Sequence, residues 1–141
     1  MAGKKPWHRK RTLVYPKHAF RPEELLGFLE LTPFQEGWNE LELDDDDLES
    51  LQVLIMLRPK GHPVVPGTGG LRKLRFAPAT WRTGKRGAVR VGYVYLEARR
   101  VVLLVIAYSK DEKDDLAPAE RKAIKALIAR VEKEFESGII R

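Results

Sequence analysis

Residues 88–109 read AVRVGYVYLEARRVVLLVIAYS, and this stretch decides the fold. Its first part, 88–97, is rich in β-branched and aromatic residues, and its last part, 100–109, is an almost continuous apolar run. The EARR that joins them is short enough to be a hairpin connection. We therefore predict two antiparallel strands here, with the second at the centre of a sheet.

The segment before this hairpin predicts a basic strand. LRKLRF, residues 71–76, alternates apolar with basic side chains. Because successive side chains of a strand point to opposite faces, Lys73 and Arg75 share one face and Leu74 points to the other. In the next strand the same rule puts Arg90 and Gly92 on one face, and we expect the glycine to leave room beside the arginine. If these strands and the end of the last one are neighbours, four cations line one surface: Lys73, Arg75, Arg90 and Lys110.

PGTGG, residues 66–70, raises the question of a nucleotide-binding loop. A Walker loop needs a lysine directly after a glycine, a hydroxyl residue after the lysine, and a helix behind them. Lys73 instead lies three residues after Gly70, and a strand follows. The glycines are better explained as positive-φ positions in a turn that redirects the chain.

The remaining segments complete an α+β fold. GFLEL, residues 27–31, alternates apolar and polar side chains and predicts a first strand. Apolar side chains three to four apart predict a short helix over 32–43, a second over 44–59 and a longer one over 116–138.

Four consecutive aspartates, Asp44 to Asp47, suggest either a metal site or the start of a helix. Neighbouring side chains on a helix point about 100° apart, so these carboxylates do not converge on one ion. Carboxylates are favoured in the first turn of a helix. The sequence therefore favours the helix start.

Composition predicts one ordinary soluble domain. The chain has 141 residues, of which 43% are hydrophobic and 33% charged, and it has no cysteine, which excludes disulfides, thiolate nucleophiles and cysteine-bound zinc. There is no secretory signal pattern and no apolar run long enough for a membrane span, so we expect a cytoplasmic protein with no membrane partner. Residues 1–25 are interpreted as a basic N-terminal extension, poorly ordered at its start, and 26–141 as the domain.

Charge is strongly segregated along the chain. Residues 21–57 carry eleven acids and one arginine, whereas 58–110 carry twelve bases and a single acid, Glu97. A basic block of this kind is typical of proteins that bind a polyanion, although an idle basic surface gives the same pattern.

The order of these segments carries a family resemblance. VVPGTGGLRKLRF (64–76) followed by GKRGAVRVGYVYLEARRVVLLVIAYSKDEKDDLAPAERKA (84–123) resembles the HigB branch of the RelE/ParE superfamily, the toxins of bacterial type II toxin–antitoxin systems. The resemblance covers roughly residues 27–136. It implies a RelE-like fold, with two N-terminal helices packed on a small, mainly antiparallel sheet and a C-terminal helix.

The resemblance also implies an activity and a set of partners. RelE-like and HigB-like toxins are ribosome-dependent endoribonucleases that cut messenger RNA without a metal or other cofactor, and a small antitoxin neutralises them, here expected to be a HigA-like helix-turn-helix protein. Attack of a 2′-hydroxyl on the adjacent phosphate needs a base, charge stabilisation and an acid. The resemblance gives the catalytic roles to Lys73, Arg75, Arg90 and Lys110, and we interpret four further cations as RNA-binding: Arg72, Lys85, Arg86 and Lys113.

Two points stay open. The general base and acid are unassigned, because DLAPAE (115–120) lacks the tyrosine that RelE-type toxins carry there, and the histidines His8, His18 and His62 are not on the basic strands. A lysine acts as the base only if neighbouring positive charges favour its neutral form, which we expect of this cluster. The alternatives are a ParE-type gyrase inhibitor and a non-catalytic RNA-binding module.

Overall fold

The structure is a computed structural model, and it describes residues 6–9, 25–78, 88–110, 112–113 and 115–140. Within these ranges the chain is α+β, as predicted, with three helices and a mixed sheet of five strands. The strands are β1 (Trp7–Arg9), β2 (Gly27–Leu31), β3 (Arg72–Phe76), β4 (Val89–Leu96) and β5 (Val101–Ser109). The helices are α1 (Thr32–Glu40), α2 (Asp45–Leu57) and α3 (Pro118–Glu136).

The sheet has the strand order β1-β2-β5-β4-β3, so β5 lies at its centre as predicted. β2 runs parallel to β5, and the other neighbouring pairs are antiparallel. The predicted β4–β5 hairpin is confirmed. A short 3-10 turn, Glu97–Arg99, closes it, and Arg100 follows with a left-handed φ of 56°.

The two faces of the sheet carry two separate apolar clusters. On one face, Trp38 of α1 and Leu51 and Ile55 of α2 pack with strand residues such as Val91 and Leu104. On the other face, α3 contributes four apolar side chains to a cluster with Leu103 and Val105. Those of α3 are Ile124, Ile128, Val131 and Phe135. We call the two sides the α1–α2 face and the α3 face.

The aspartate run forms a helix start, as predicted. The side chain of Asp44 accepts a hydrogen bond of 2.9 Å from the backbone N–H of Asp47, and the carboxylate of Asp47 accepts one of 3.2 Å from the N–H of Asp44. This reciprocal pair is a capping box. The carboxylates are therefore used to begin α2.

The region predicted as an N-terminal extension contains a strand. Trp7–Arg9 pairs with β2, and the buried indole of Trp7 donates a hydrogen bond of 2.9 Å to Glu134 of α3. Three residues are too few to show a period, so this strand was not predicted from the sequence. The rest of 1–25, apart from Pro6 and Leu25, lies outside the described residues. Among the described helices, none is both long and apolar enough to cross a membrane.

Candidate nucleic-acid interface

The PGTGG segment is a tight turn that leads into β3. Gly67, Gly69 and Gly70 all have positive φ values, of 78°, 76° and 112°. The buried Thr68 hydroxyl donates to the carbonyl of Val65 at 2.6 Å and accepts from the N–H of Leu71 at 3.1 Å. The prediction of a turn is confirmed, since the backbone of this segment bonds within itself and β3 follows directly.

Basic residues of neighbouring strands lie directly opposite one another. Arg75 of β3 is paired with Arg90 of β4, and Arg90 is paired on its other side with Tyr108 of β5. Such cross-strand partners have their Cβ atoms about 5 Å apart and share a face of the sheet. We call Arg75, Arg90 and Tyr108 the cross-sheet row. It lies on the α3 face, because Tyr108 belongs to the apolar cluster of that side.

Burial increases along this row from the edge of the sheet inward. Arg75 is exposed, whereas Arg90 and Tyr108 are each only 3% exposed. The Nε and Nη1 atoms of Arg90 are buried, and they have no hydrogen-bond partner among the described residues. Burying a guanidinium without a partner is costly, and an arginine cannot shed its charge in a protein. The arrangement therefore offers unused, charged donors to an anion.

Lys73 lies on the same face as the row, since its strand partner is Gly92, two residues from Arg90. Its ammonium is 3.7 Å from the carboxylate of Asp115, and it is 31% exposed. The carboxylate of Asp115 also accepts a hydrogen bond of 3.0 Å from Arg121. Asp115 is thus shared between Lys73 and Arg121 on this side of the sheet.

Arg121 of α3 forms hydrogen bonds with the residues just before that helix and with the glycine turn. Its guanidinium donates to Asp115, to the carbonyl of Leu116 at 3.1 Å and to the carbonyl of Pro66 at 3.4 Å. The backbone N–H of Leu116, together with Lys73 and Arg121, holds the pKa of Asp115 below its usual value. The first turn of α3 is thus joined both to the glycine turn and to β3.

Lys113 lies over Tyr108. Its ammonium is 5.1 Å from the centre of the phenol ring and forms an ion pair with Glu120. The hydrogen bond from Lys113 lowers the pKa of Glu120. Burial raises the pKa of Tyr108, with Asp115 acting in the same direction and Arg90 in the opposite one. The phenol therefore stays protonated at neutral pH.

The other residues singled out in the sequence are not members of this row. Lys110 is exposed in the turn after β5. Arg72 alternates with Lys73, so it lies on the opposite face, and its guanidinium donates to the carbonyls of Lys60 and His62 at 3.1 and 2.7 Å. Lys85 and Arg86 lie outside the described residues.

The room that we expect Gly92 to leave beside Arg90 is occupied by other side chains. A Cβ atom at Gly92 would be 3.0 Å from side-chain atoms of both Leu71 and Ile106. The side chains of Leu71 and Ile106 therefore fill the room beside Arg90 that the glycine was expected to leave open. The reason is that the turn before β3 delivers Leu71 there.

His62 is remote from the row. Its ring meets Tyr93 edge-on with centroids 6.0 Å apart, and Tyr93 packs on the α1–α2 face. Burial, followed by the charges of Arg58 and Arg72, lowers the pKa of His62. Within the described ranges, no group of three or more histidine or acidic residues is placed to hold a metal ion.

Sequence reasoning missed Asp115 and Arg121 and left Tyr108 without a role. The strand alternation that places Arg90 also places Tyr108 once the β4–β5 register is known, and a register is not readable from one sequence. Asp115 and Arg121 are joined to Lys73 and Pro66 through long-range contacts, for which the local sequence gives no signal. No protein-family model matches the chain.

Proposed function

We propose that this protein is the toxin of a type II toxin–antitoxin system, a HigB-like endoribonuclease that cuts messenger RNA on the ribosome. Its partners in this proposal are the ribosome, messenger RNA and a small HigA-like antitoxin with a helix-turn-helix. The observation that carries the proposal is Arg90, a buried guanidinium opposite a second arginine, with two nitrogens that have no partner among the described residues.

The geometry supports a phosphate ligand in particular. An arginine fork matches the oxygens of a phosphate, and buried donors aimed at developing charge are the strongest single contribution to many catalysed reactions. Arg75 lies at the exposed end of the row, and Lys73 lies on the same face. A strand of RNA can therefore approach along the edge of the sheet, with one phosphate reaching Arg90.

The proposed reaction is attack of an RNA 2′-hydroxyl on the adjacent phosphorus. The new P–O2′ bond replaces the P–O5′ bond, the 2′-hydroxyl gives up its proton and the departing O5′ takes one up. The products are a 2′,3′-cyclic phosphate and a 5′-hydroxyl end. Arg90 and Arg75 balance the charge of the pentacoordinate phosphorus. Lys73, on the same face of the sheet as Arg90, and the exposed Lys110 bind the flanking phosphates.

The test is to induce the protein in bacterial cells, map the 5′ ends of messenger RNA and examine the chromosome. We expect cuts inside translated frames for the wild type and at least a 100-fold loss of them for Arg90→Ala, as for other lost charge-stabilising donors. Arg130→Ala is the matched control, because Arg130 is exposed on α3 and pairs with Glu134. It should cut like the wild type.

Three other outcomes contradict this account in different ways. If the Arg90→Ala variant still produced the cuts, Arg90 would not be a catalytic residue. Growth arrest with intact messages and broken DNA would favour a ParE-type gyrase inhibitor. RNA binding without any cleavage would favour a non-catalytic RNA-binding module.

A further inference from the structure

Tyr108 is the third member of the cross-sheet row, and its hydroxyl is unused within the described fold. The ring packs in the apolar cluster of the α3 face, below the ammonium of Lys113. It borders the same small depression as Lys73, together with Leu71 and Leu116. The hydroxyl takes part in none of the hydrogen bonds between described residues, and its oxygen is not one of the buried polar atoms without a partner. The ring is therefore held by packing, and the hydroxyl is left open to a ligand.

Tyr93, in the same sheet, is a tyrosine whose hydroxyl has a structural role. It lies on the α1–α2 face, and its hydroxyl donates a hydrogen bond of 2.7 Å to the carbonyl of Pro59. That bond fastens the segment after α2 to the sheet. Tyr108 has no equivalent acceptor in the described part of the chain, so its hydroxyl does not hold the fold together.

Arg90 and Tyr108 together form a pair of neighbouring donors. They are cross-strand partners, and both are 3% exposed. Two buried nitrogens of the guanidinium have no acceptor among the described residues, and the phenol, whose raised pKa keeps it protonated, offers an O–H beside them. Two neighbouring donors without an acceptor are typical of a site that receives an oxyanion.

We propose that Tyr108 donates a hydrogen bond to a non-bridging oxygen of the same phosphodiester that Arg90 binds. The identity of that ligand as an RNA phosphate rests on the proposed function. Side chains about 5 Å apart on neighbouring strands are close enough to reach two oxygens of one phosphate. No proton is transferred in this contact. The hydroxyl stays protonated and fixes the orientation of the phosphate for attack by the 2′-hydroxyl.

The substitution Tyr108→Phe removes this donor and keeps the ring. The packing with Leu71 and Leu116 is retained, and no hydrogen bond within the described fold is lost, so the variant should fold. Tyr95→Phe is the matched control. Tyr95 lies in the same sheet and is partly buried, but it packs on the α1–α2 face.

The binding experiment uses a dinucleoside monophosphate whose 2′-hydroxyl next to the phosphate is replaced by hydrogen, so that it cannot be cleaved. NMR titration of the full chain measures its affinity. We expect Tyr108→Phe to bind it about 10- to 100-fold more weakly, the range for a hydrogen bond to a charged group, and Tyr95→Phe to match the wild type. Equal affinity of Tyr108→Phe and the wild type would overturn the inference, as would a wild type that does not bind the probe.

Cleavage of ribosome-bound messenger RNA separates this inference from the proposed function. Loss of affinity in Tyr108→Phe together with a wild type that cuts no RNA would support the phosphate site and contradict the nuclease. If the wild type cuts RNA and Tyr108→Phe binds the probe and cuts RNA equally well, the role of Tyr108 is contradicted. The proposed nuclease activity is then still supported.

Discussion

At the scale of single residues, Arg90 is the most unusual feature of the molecule. A charged side chain that is 3% exposed normally has an opposite charge or a full set of acceptors, and Nε and Nη1 of Arg90 have neither among the described residues. Burying such an ion costs on the order of several kcal/mol. Residues held at a cost to stability are typical of functional sites, where the ligand supplies the missing partner.

Replacing Arg90 by methionine should therefore stabilise the free protein while it abolishes function. Methionine fills much of the same space without a charge, so we expect the free energy of unfolding to rise by about 1–4 kcal/mol. Urea unfolding measures the change. Arg75→Met is the control, because Arg75 lies opposite on the same face but is exposed, and its effect should stay within about 0.5 kcal/mol. A clear loss of stability in Arg90→Met would mean that the guanidinium supports the fold.

At the scale of elements, α1 approaches the central strand unusually closely. A Cβ atom at Gly37 would lie 2.0 Å from the carbonyl oxygen of Ala107 in β5. Real Cβ atoms do not come so near, so only glycine allows the helix to pack here. Trp38, the next residue, is fully buried in the α1–α2 cluster and stacks on Phe34 with ring centroids 5.2 Å apart.

Gly37→Ala should push α1 away from the sheet. Overpacking of a close contact costs typically about 1–3 kcal/mol, and the contact at Gly37 is with rigid backbone, so we expect the upper part of that range. Thermal unfolding with a urea series measures it. Gly27→Ala in β2 is the comparison, because the nearest atom to its added Cβ, on Val101, is at an ordinary 3.5 Å. If both variants unfold at the same urea concentration, the close packing of α1 is not as described.

Most elements were predictable because their signals are local. The alternation in 71–76, the two runs of 88–109 and the aspartates of 44–47 each specify a strand, a hairpin or a helix start without knowledge of the rest of the chain. The parallel pairing of β2 with β5 was not predicted, since it joins residues more than seventy positions apart, such as Gly27 and Val101. The offset between Gly92 and Tyr93, which fixes the β4–β5 register, was missed for the same reason.

The candidate site was predictable only in part. The alternation of side chains predicts that Lys73 and Arg75 share one face. It predicts the same face for Arg90 only on the condition that β3 and β4 are neighbours, as they are in the structure. The burial of Arg90 and the carboxylate at Lys73 depend on tertiary packing, so the sequence did not reveal them. The ion pair of Lys73 with Asp115 is one of these contacts, and a role of Lys73 as a base stays a prediction.

At the scale of the whole molecule, the helices of the acid-rich segment and the cross-sheet row lie on different faces of the sheet. The acid-rich stretch of 21–57 contains α1 and α2, which pack on one face. The cross-sheet row and Lys73 lie on the other face. The sheet therefore separates the acids of α1 and α2 from the cations proposed to meet the RNA.

The most direct measurement of the central claim is cleavage of messenger RNA bound to purified ribosomes, with analysis of the new ends. The account predicts that the wild type leaves a 2′,3′-cyclic phosphate and a 5′-hydroxyl, and that Arg90→Met, although folded, cuts at least about 100-fold more slowly. It would be contradicted by ends that carry a 3′-hydroxyl and a 5′-phosphate, or by an Arg90→Met protein that cuts at the wild-type rate.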